Sequence, residues 1–243
     1  MNIQVASDLH LDQIKSFESF DYRDYKRIIT PISNVLILAG DICHIENIHN
    51  YSKFFKYLNN NFQYIIYIPG NHEFYNKKHL LIDDLNKLME EFFKNQDYNN
   101  IIYLNNKSVL IDDILFTGSC LWCNPSINPP SWFNIDIGKE DIIKMHKDSI
   151  NYLNKVSSIN HEKHVIITHY PPIYIDLKRS KNEMYKDLYK DYYENDDIFL
   201  KSSPKYWIFG HTHKNFNNII NDTIYISNQR KDKTYKNTFT ITL

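Results

Sequence analysis

The chain has 243 residues and balances 28 Lys and Arg against 29 Asp and Glu, a formal net charge of −1. Such a balance gives no basic footprint for duplex nucleic acid but leaves a small nucleotide substrate open. A hydrophobic content of 42% with 15% aromatics can fill a sizeable core, and no apolar run is long enough to cross a bilayer. The odd cysteine count (Cys43, Cys120, Cys123) and a start that passes from Met1 straight into Ile3-Gln4-Val5-Ala6 predict a cytoplasmic protein in a reducing compartment, folded as one domain over residues 1–243.

The first predicted strand, Ile3 to Ser7, ends in Asp8-Leu9-His10, a carboxylate and an imidazole suited to a hard or borderline metal ion. Phe17 to Thr30 predicts a partly helical connection. Val35-Leu36-Ile37-Leu38-Ala39 is a continuous apolar run, as expected of a strand covered on both faces. It leaves through Gly40-Asp41-Ile42-Cys43-His44, where Asp41 is either a functional carboxylate at the sheet edge or a helix cap. Asn50 to Asn60 is a helical crossover. A third strand, Tyr64 to Ile68, runs into Pro69-Gly70-Asn71-His72-Glu73, and Lys77 to Lys94 carries the spacing of an amphipathic helix. The order so far is βαβαβα, with polar residues gathered where ligands bind in open α/β sheets.

Three short runs follow, Ile101 to Leu104, Val109 to Ile111 and Ile114 to Phe116, separated by Asn105-Asn106 and Asp112-Asp113 turns and expected to add antiparallel strands. The Cys120-x-x-Cys123 pair lacks a second ligand pair and lies at a strand end, which argues against zinc or thioredoxin-like chemistry. Residues 119–137, with Trp122, Trp132 and Phe133 among prolines, form either a binding loop or a packed surface loop. Gly138 to Ser158 is a helix with Ile142, Ile143, Met145, Ile150, Leu153 and Val156 inward, and His146 and His161 are expected at its surface or flanks. Val165 to Thr168 is a buried strand ending in His169-Tyr170-Pro171-Pro172. Residues 174–203, anchored by Leu177, Met184, Leu188 and Phe199, are either a helical lid or a solvated excursion. Tyr206 to Phe209 ends in Gly210-His211-Thr212-His213, and Ile219-Ile220, Ile224 to Ser227 and Phe239 to Leu243 close the chain as strands.

Five predicted strand ends therefore deliver Asp8 and His10, Asp41, Asn71 and His72, His169, and His211 and His213, gathered at one edge of a sheet. In the order Asp-x-His, Gly-Asp, Gly-Asn-His-Glu, His, Gly-His-x-His, the chain resembles the calcineurin-like metallophosphoesterases over Asp8 to His213. The resemblance implies an α/β fold, a four-layered α/β/β/α sandwich with two mixed β-sheets holding two divalent metal ions. By it, Asp8, His10 and His213 match ligands of the first ion, and Asn71, His169 and His211 match ligands of the second. Asp41 matches the carboxylate bridging both, so it also counts as catalytic. A donor set of nitrogen and oxygen without thiolate favours Mn²⁺, with Fe or Zn²⁺ as alternatives.

The implied reaction is hydrolysis of a small phosphate ester, a nucleotide among the possibilities, by a hydroxide bridging the two ions. His72 matches a non-ligand histidine that assists the leaving oxygen, and Glu73 is expected beside a histidine ligand. Nearer resemblance is to small bacterial and phage-type members, which share Gly118-Ser119-Cys120-Leu121-Trp122 and Trp207-x-x-Gly-His-Thr-His. Those members often carry Asn-Pro-Arg-Gly where this chain has Asn228-Gln229-Arg230-Lys231, so Arg230 is either a phosphate contact or a plain surface charge. His44 echoes a histidine of the DNA-repair nuclease branch, whose large cap does not fit this length. Phosphodiester hydrolysis is favoured over a phosphomonoesterase acting on a phosphoprotein or nucleotide. A non-catalytic scaffold on the same fold would show lost ligands, and here every block is present. Oligomeric state is not legible.

Overall fold

Alternation along buried strands builds two apolar layers at once. The computed structural model describes residues 1–129, 137–159, 161–173, 175, 195, 198 and 200–243. In β1 (Asn2–Ala6), β2 (Val35–Ala39) and β3 (Tyr64–Ile68), Ile3, Val5, Val35, Ile37, Ile66 and Ile68 share one core. From the facing sheet that core receives Phe116 of β6 (Ile114–Ser119), Val165 and Ile167 of β7 (His164–Thr168) and Ile208 of β8 (Tyr206–Ile208). The intervening residues of the first three strands, Leu36, Leu38, Ile65 and Tyr67 among them, join a second core with the helices.

Helices α1 (Tyr22–Ile28), α2 (Ser52–Asn61) and α4 (Ile82–Asn95) cover the first sheet. They supply Tyr25, Phe54, Phe55, Leu85 and Phe93 to that core, with Phe55 stacked on Tyr67 at 6.0 Å between ring centroids. Helix α5 (Lys139–Ser157) covers the second sheet with Ile142 and Leu153 against Ile166 and Trp207. The layers are helix, sheet, sheet, helix. Adding β4 (Ile101–Tyr103) and β11 (Thr240–Thr242), the first sheet has the order β11-β1-β2-β3-β4, with only β11 antiparallel. The second, with β5 (Lys107–Ile111), β9 (Asn217–Ile220) and β10 (Thr223–Ile226), runs β5-β6-β7-β8-β10-β9 and is parallel except for its two edge strands. Both sheets are mixed, as the resemblance implied.

Several expectations change. The five strand ends do not share one sheet: β1, β2 and β3 belong to the first, β7 and β8 to the second, and the shared core holds their carboxyl ends together. The run at Ile101 pairs parallel to β3 and not antiparallel, because α4 carries the chain back across the sheet first. That helix starts at Ile82 and not near Lys77: the Asn76 amide bonds both the N–H and the carbonyl of Leu80 (2.7 and 3.2 Å), holding this stretch out of helix. His146 is buried and not at the surface, with Nδ1 3.0 Å from the Leu121 carbonyl. Between β9 and β10, Asn221 and Asp222 both have positive φ (47° and 67°), as a type I′ hairpin requires. All three cysteines are free and buried. Trp132, Phe133, Leu177, Met184, Leu188 and Phe199 lie outside the described residues. Among the described residues no helix is long and apolar enough to cross a membrane.

Candidate metal centre

Each strand leaves its sheet through a sharp turn, and the turns aim the side chains. Asp8, His10, Asp41, His211 and His213 all take positive φ (52°, 44°, 54°, 68° and 51°), which is uncommon outside glycine. Each such residue costs about 1–3 kcal/mol and persists only where its surroundings enforce it. The geometric consequence is clearest at the last pair. On a continuing strand His211 and His213 would share a face; here the turn splays them. His211 Nδ1 lies 3.2 Å from His169 Nε2, while His213 Nε2 lies 3.1 Å from His10 Nε2 and 3.5 Å from Asp8 Oδ1.

Two donor groups share Asp41, and a third set, His10, Asp12 and His72, meets at the rim. Asp8, His10, Asp41 and His213 bring their ligand atoms within 4.8 Å of one another, and so do Asp41, His169 and His211. Asn71, at the start of the short helix α3 (Asn71–Phe74), joins the second group with Oδ1 3.1 Å from His169 Nε2. Asp41 stands between them: Oδ2 is 3.6 Å from His10 Nε2, and Oδ1 is 3.2 Å from His169 Nε2. The residues fit a pair of cations. Carboxylate, amide and imidazole groups converge with no thiolate among them, a donor set suited to hard or borderline divalent ions. The ring of His169 is oriented for this by Nδ1, which meets the Ala39 carbonyl at 2.9 Å.

Two glycines make room for the arrangement. Gly40 has φ +85°, and a Cβ there would stand 2.3 Å from His169 Nδ1. At Gly70 a Cβ would stand 2.3 Å from Asp41 Oδ1.

Charge is divided unevenly across the site. Burial pushes His10 down to about 2, against the pull of Asp41, so its ring is neutral and its lone pairs are available. Burial lifts Asp8 to about 7. Burial also opposes charge on Asp41 and His169, but their mutual attraction prevails: Asp41 falls well below the carboxylate range and His169 rises to about 9. A cation taken up at His169 must expel that proton. Metal affinity at this position is therefore expected to rise about tenfold per pH unit until pH 9 is approached. Calorimetric Mn²⁺ titrations at several pH values measure the slope, and a pH-independent affinity for both ions would refute the assignment.

His72 sits at the rim, its side chain 22% exposed and Nε2 4.0 Å from Asp41 Oδ2, too far for a hydrogen bond. It packs edge-on against His10 (4.4 Å between centroids) and near-parallel to His44 (5.8 Å), whose Nε2 is 3.6 Å from Asp12 Oδ2. Glu73 lies within electrostatic reach of His169 but directs its hydrogen bonds elsewhere. Its carboxylate lies under the Gly40-Asp41 turn, where Oε2 accepts from the N–H groups of Asp41 (2.8 Å) and Gly70 (2.7 Å). Oε1 accepts from Ile42 (2.7 Å) and Cys43 (3.2 Å) and from the Tyr67 hydroxyl (2.8 Å). Arg230 is half-buried and more than a plain surface charge: Nη1 donates to the Leu9 carbonyl at 2.8 Å and steadies the turn between Asp8 and His10.

Two residues have roles that sequence reasoning missed. Gln229, fully buried, accepts from His213 N–H (2.6 Å) and donates to Thr212 Oγ1 (2.7 Å) and the Lys214 carbonyl (2.8 Å). The departure from Asn-Pro-Arg-Gly was its only signal. Tyr75 Oη accepts from Asn71 Nδ2 at 2.8 Å.

A family model described as Calcineurin-like phosphoesterase matches residues 1–215. An uncharacterized protein of Acanthamoeba polyphaga mimivirus is 29% identical over 255 residues, spanning 93% of this chain and 90% of that protein. Among solved structures, phosphopantetheinyl hydrolase from Mycobacterium tuberculosis superposes with a TM-score of 0.72 at 11% identity, covering 99% of this chain and 95% of that one. A dimetal phosphatase from Danio rerio gives 0.51 at 14% identity, covering 96% and 88%. At these identities the two structures speak for the fold.

Proposed function

The chain belongs to the calcineurin-like phosphoesterase family, and from that premise we propose that it is a binuclear metallophosphoesterase hydrolysing a small phosphodiester, a nucleotide derivative among the candidates, with Mn²⁺ as its preferred ion. The observation that carries the residue roles is the placement of Asp41, whose two oxygens face different donor groups. In this reading Asp8, His10, His213 and Asp41 hold one ion, and Asn71, His169, His211 and Asp41 hold the other. When bound, such a pair lowers the pKa of water and neutralises charge on the phosphoryl oxygens. The protein's own contribution is placement: strained turns and the Glu73 carboxylate keep the donors converged before any ion arrives, so little reorganisation is needed during reaction. His72, at the rim with Nε2 4.0 Å from Asp41 Oδ2, donates a proton to the leaving oxygen.

The preference for a diester is supported by the resemblance to small members of the family, with the Asn71-His72 pair and the Gly118-x-x-Leu121-Trp122 segment. With Mn²⁺ restored, the purified chain is expected to turn over bis-p-nitrophenyl phosphate with a higher kcat/KM than p-nitrophenyl phosphate. The reverse ranking would overturn the diester preference, and metal binding without turnover of either ester would favour a scaffold.

A further inference from the structure

An amide is a metal ligand only through its oxygen, so an asparagine in a metal site has a right way and a wrong way round. The two ends are nearly the same size, and packing alone distinguishes them poorly; hydrogen bonding must do so. Asn71 is 5% exposed, and both ends of its amide are engaged. Oδ1 lies 3.1 Å from His169 Nε2, toward the second donor group, and Nδ2 donates to the Tyr75 hydroxyl at 2.8 Å. Tyr75 stands four residues further on, just past the end of α3, and is itself 8% exposed. Its backbone is tied to the same turn, with Tyr75 N–H donating to the His72 carbonyl at 3.3 Å, and its ring lies 4.6 Å from the ring of His72.

We infer that Tyr75 is a positioning residue: its hydroxyl accepts the Asn71 amide hydrogen and thereby turns the Asn71 oxygen toward the second ion. This rests on the proposed role of Asn71 as a ligand of that ion. The flipped amide would present N–H groups to the ion and its oxygen to the phenol. A phenol can donate as well as accept, but only the ligating orientation keeps the amide N–H groups away from a cation, and in that orientation the phenol oxygen is the acceptor that Nδ2 needs. Removing it keeps the ring packing and leaves the Nδ2 of the ligating orientation without this acceptor.

The distinguishing property of an orientation effect is that a symmetrical side chain is immune to it. Aspartate at position 71 offers an oxygen whichever way it turns. The test is a cycle of four full-length proteins, the native chain, Tyr75→Phe, Asn71→Asp and the double variant, each titrated with Mn²⁺ by calorimetry. In the native background Tyr75→Phe is expected to weaken the second binding step about tenfold or more, the usual scale for losing a partner of a metal ligand, and to leave the first step unchanged. In the Asn71→Asp background the same substitution is expected to change the second step less than twofold. An unchanged second step in Tyr75→Phe, or an equal loss in both backgrounds, would overturn the inference, the latter because it reports general loosening of the turn. A fifth protein, Asn71→Ala, separates the premise: if it binds both ions as tightly as the native chain, Asn71 is not a ligand and the proposed site falls with the inference. Because Phe preserves the contact with His72, folding is expected to survive, and circular dichroism verifies it before titration.

Discussion

Asp41→Asn is expected to abolish turnover and to lose bound metal, whereas His72→Asn is expected to abolish turnover with both ions retained. The contrast follows from position. Asp41 offers one oxygen to each donor group, 3.6 Å from His10 Nε2 and 3.2 Å from His169 Nε2. An amide in its place must turn an NH₂ toward one of them and removes a negative charge from between two cations. In the proposed assignment His72 is not a ligand, although its ring stands within 4.8 Å of ligand atoms of His10 and Asp12, so its loss is expected to remove only proton donation to the leaving oxygen, about 10²–10⁴ in kcat. Metal content by elemental analysis and kcat on the diester, measured on the same preparations, decide the matter. Full metal occupancy in Asp41→Asn would count against the bridging role, and metal loss in His72→Asn would make His72 a ligand.

The largest stability effect is expected at Glu73. Replacing it with Gln keeps the shape but turns an NH₂ toward one set of donors. Either Asp41 N–H and Gly70 N–H lose their acceptor, or Ile42 N–H, Cys43 N–H and Tyr67 O–H do. At about 1–3 kcal/mol for each buried donor left unpaired, the orientation that leaves two unpaired makes Glu73→Gln cost roughly 2–6 kcal/mol. Urea unfolding of the metal-free chain measures this directly. Burial raises the pKa of this carboxyl, yet four backbone N–H groups and a hydroxyl converge on its oxygens, an arrangement matched to the ionised form. A loss below 1 kcal/mol would mean that the turn holds its shape without the carboxylate. Metal affinity should fall as well, since the same N–H groups belong to the turn that presents Asp41.

Much of the molecule was legible before any coordinates. The strands at Val35–Ala39 and Tyr64–Ile68 have the expected limits, because a strand covered on both faces leaves an unbroken apolar run closed by a glycine or proline. His146 could have been placed correctly: Ile142, His146, Ser149, Leu153 and Val156 form one buried helical stripe, and the ring's polarity obscured it. The start of α4 was misplaced for a different reason. Helical spacing continues back through Leu80 and Leu81, but the Asn76 side chain bonds Leu80 and diverts the backbone, leaving Leu81 65% exposed.

What the sequence alone determined was the chemistry and its order: which donor types stand at the ends of five strands, and that their succession matches one family. Those are local properties, written in composition and punctuation along the chain. The division of the donors was implied only by the resemblance, and the tertiary structure alone supplied the geometry behind it. The two sheets bring the ends of β1, β2 and β3 against those of β7 and β8, and left-handed turns send His211 and His213 to different groups. The supporting contacts were equally out of reach. Glu73 meets Asp41 across 32 positions and Arg230 meets Leu9 across 221, separations that no periodicity encodes. Even the Asn71–Tyr75 contact, four residues apart, gave no signal, because a helix of four residues is too short to show a repeat.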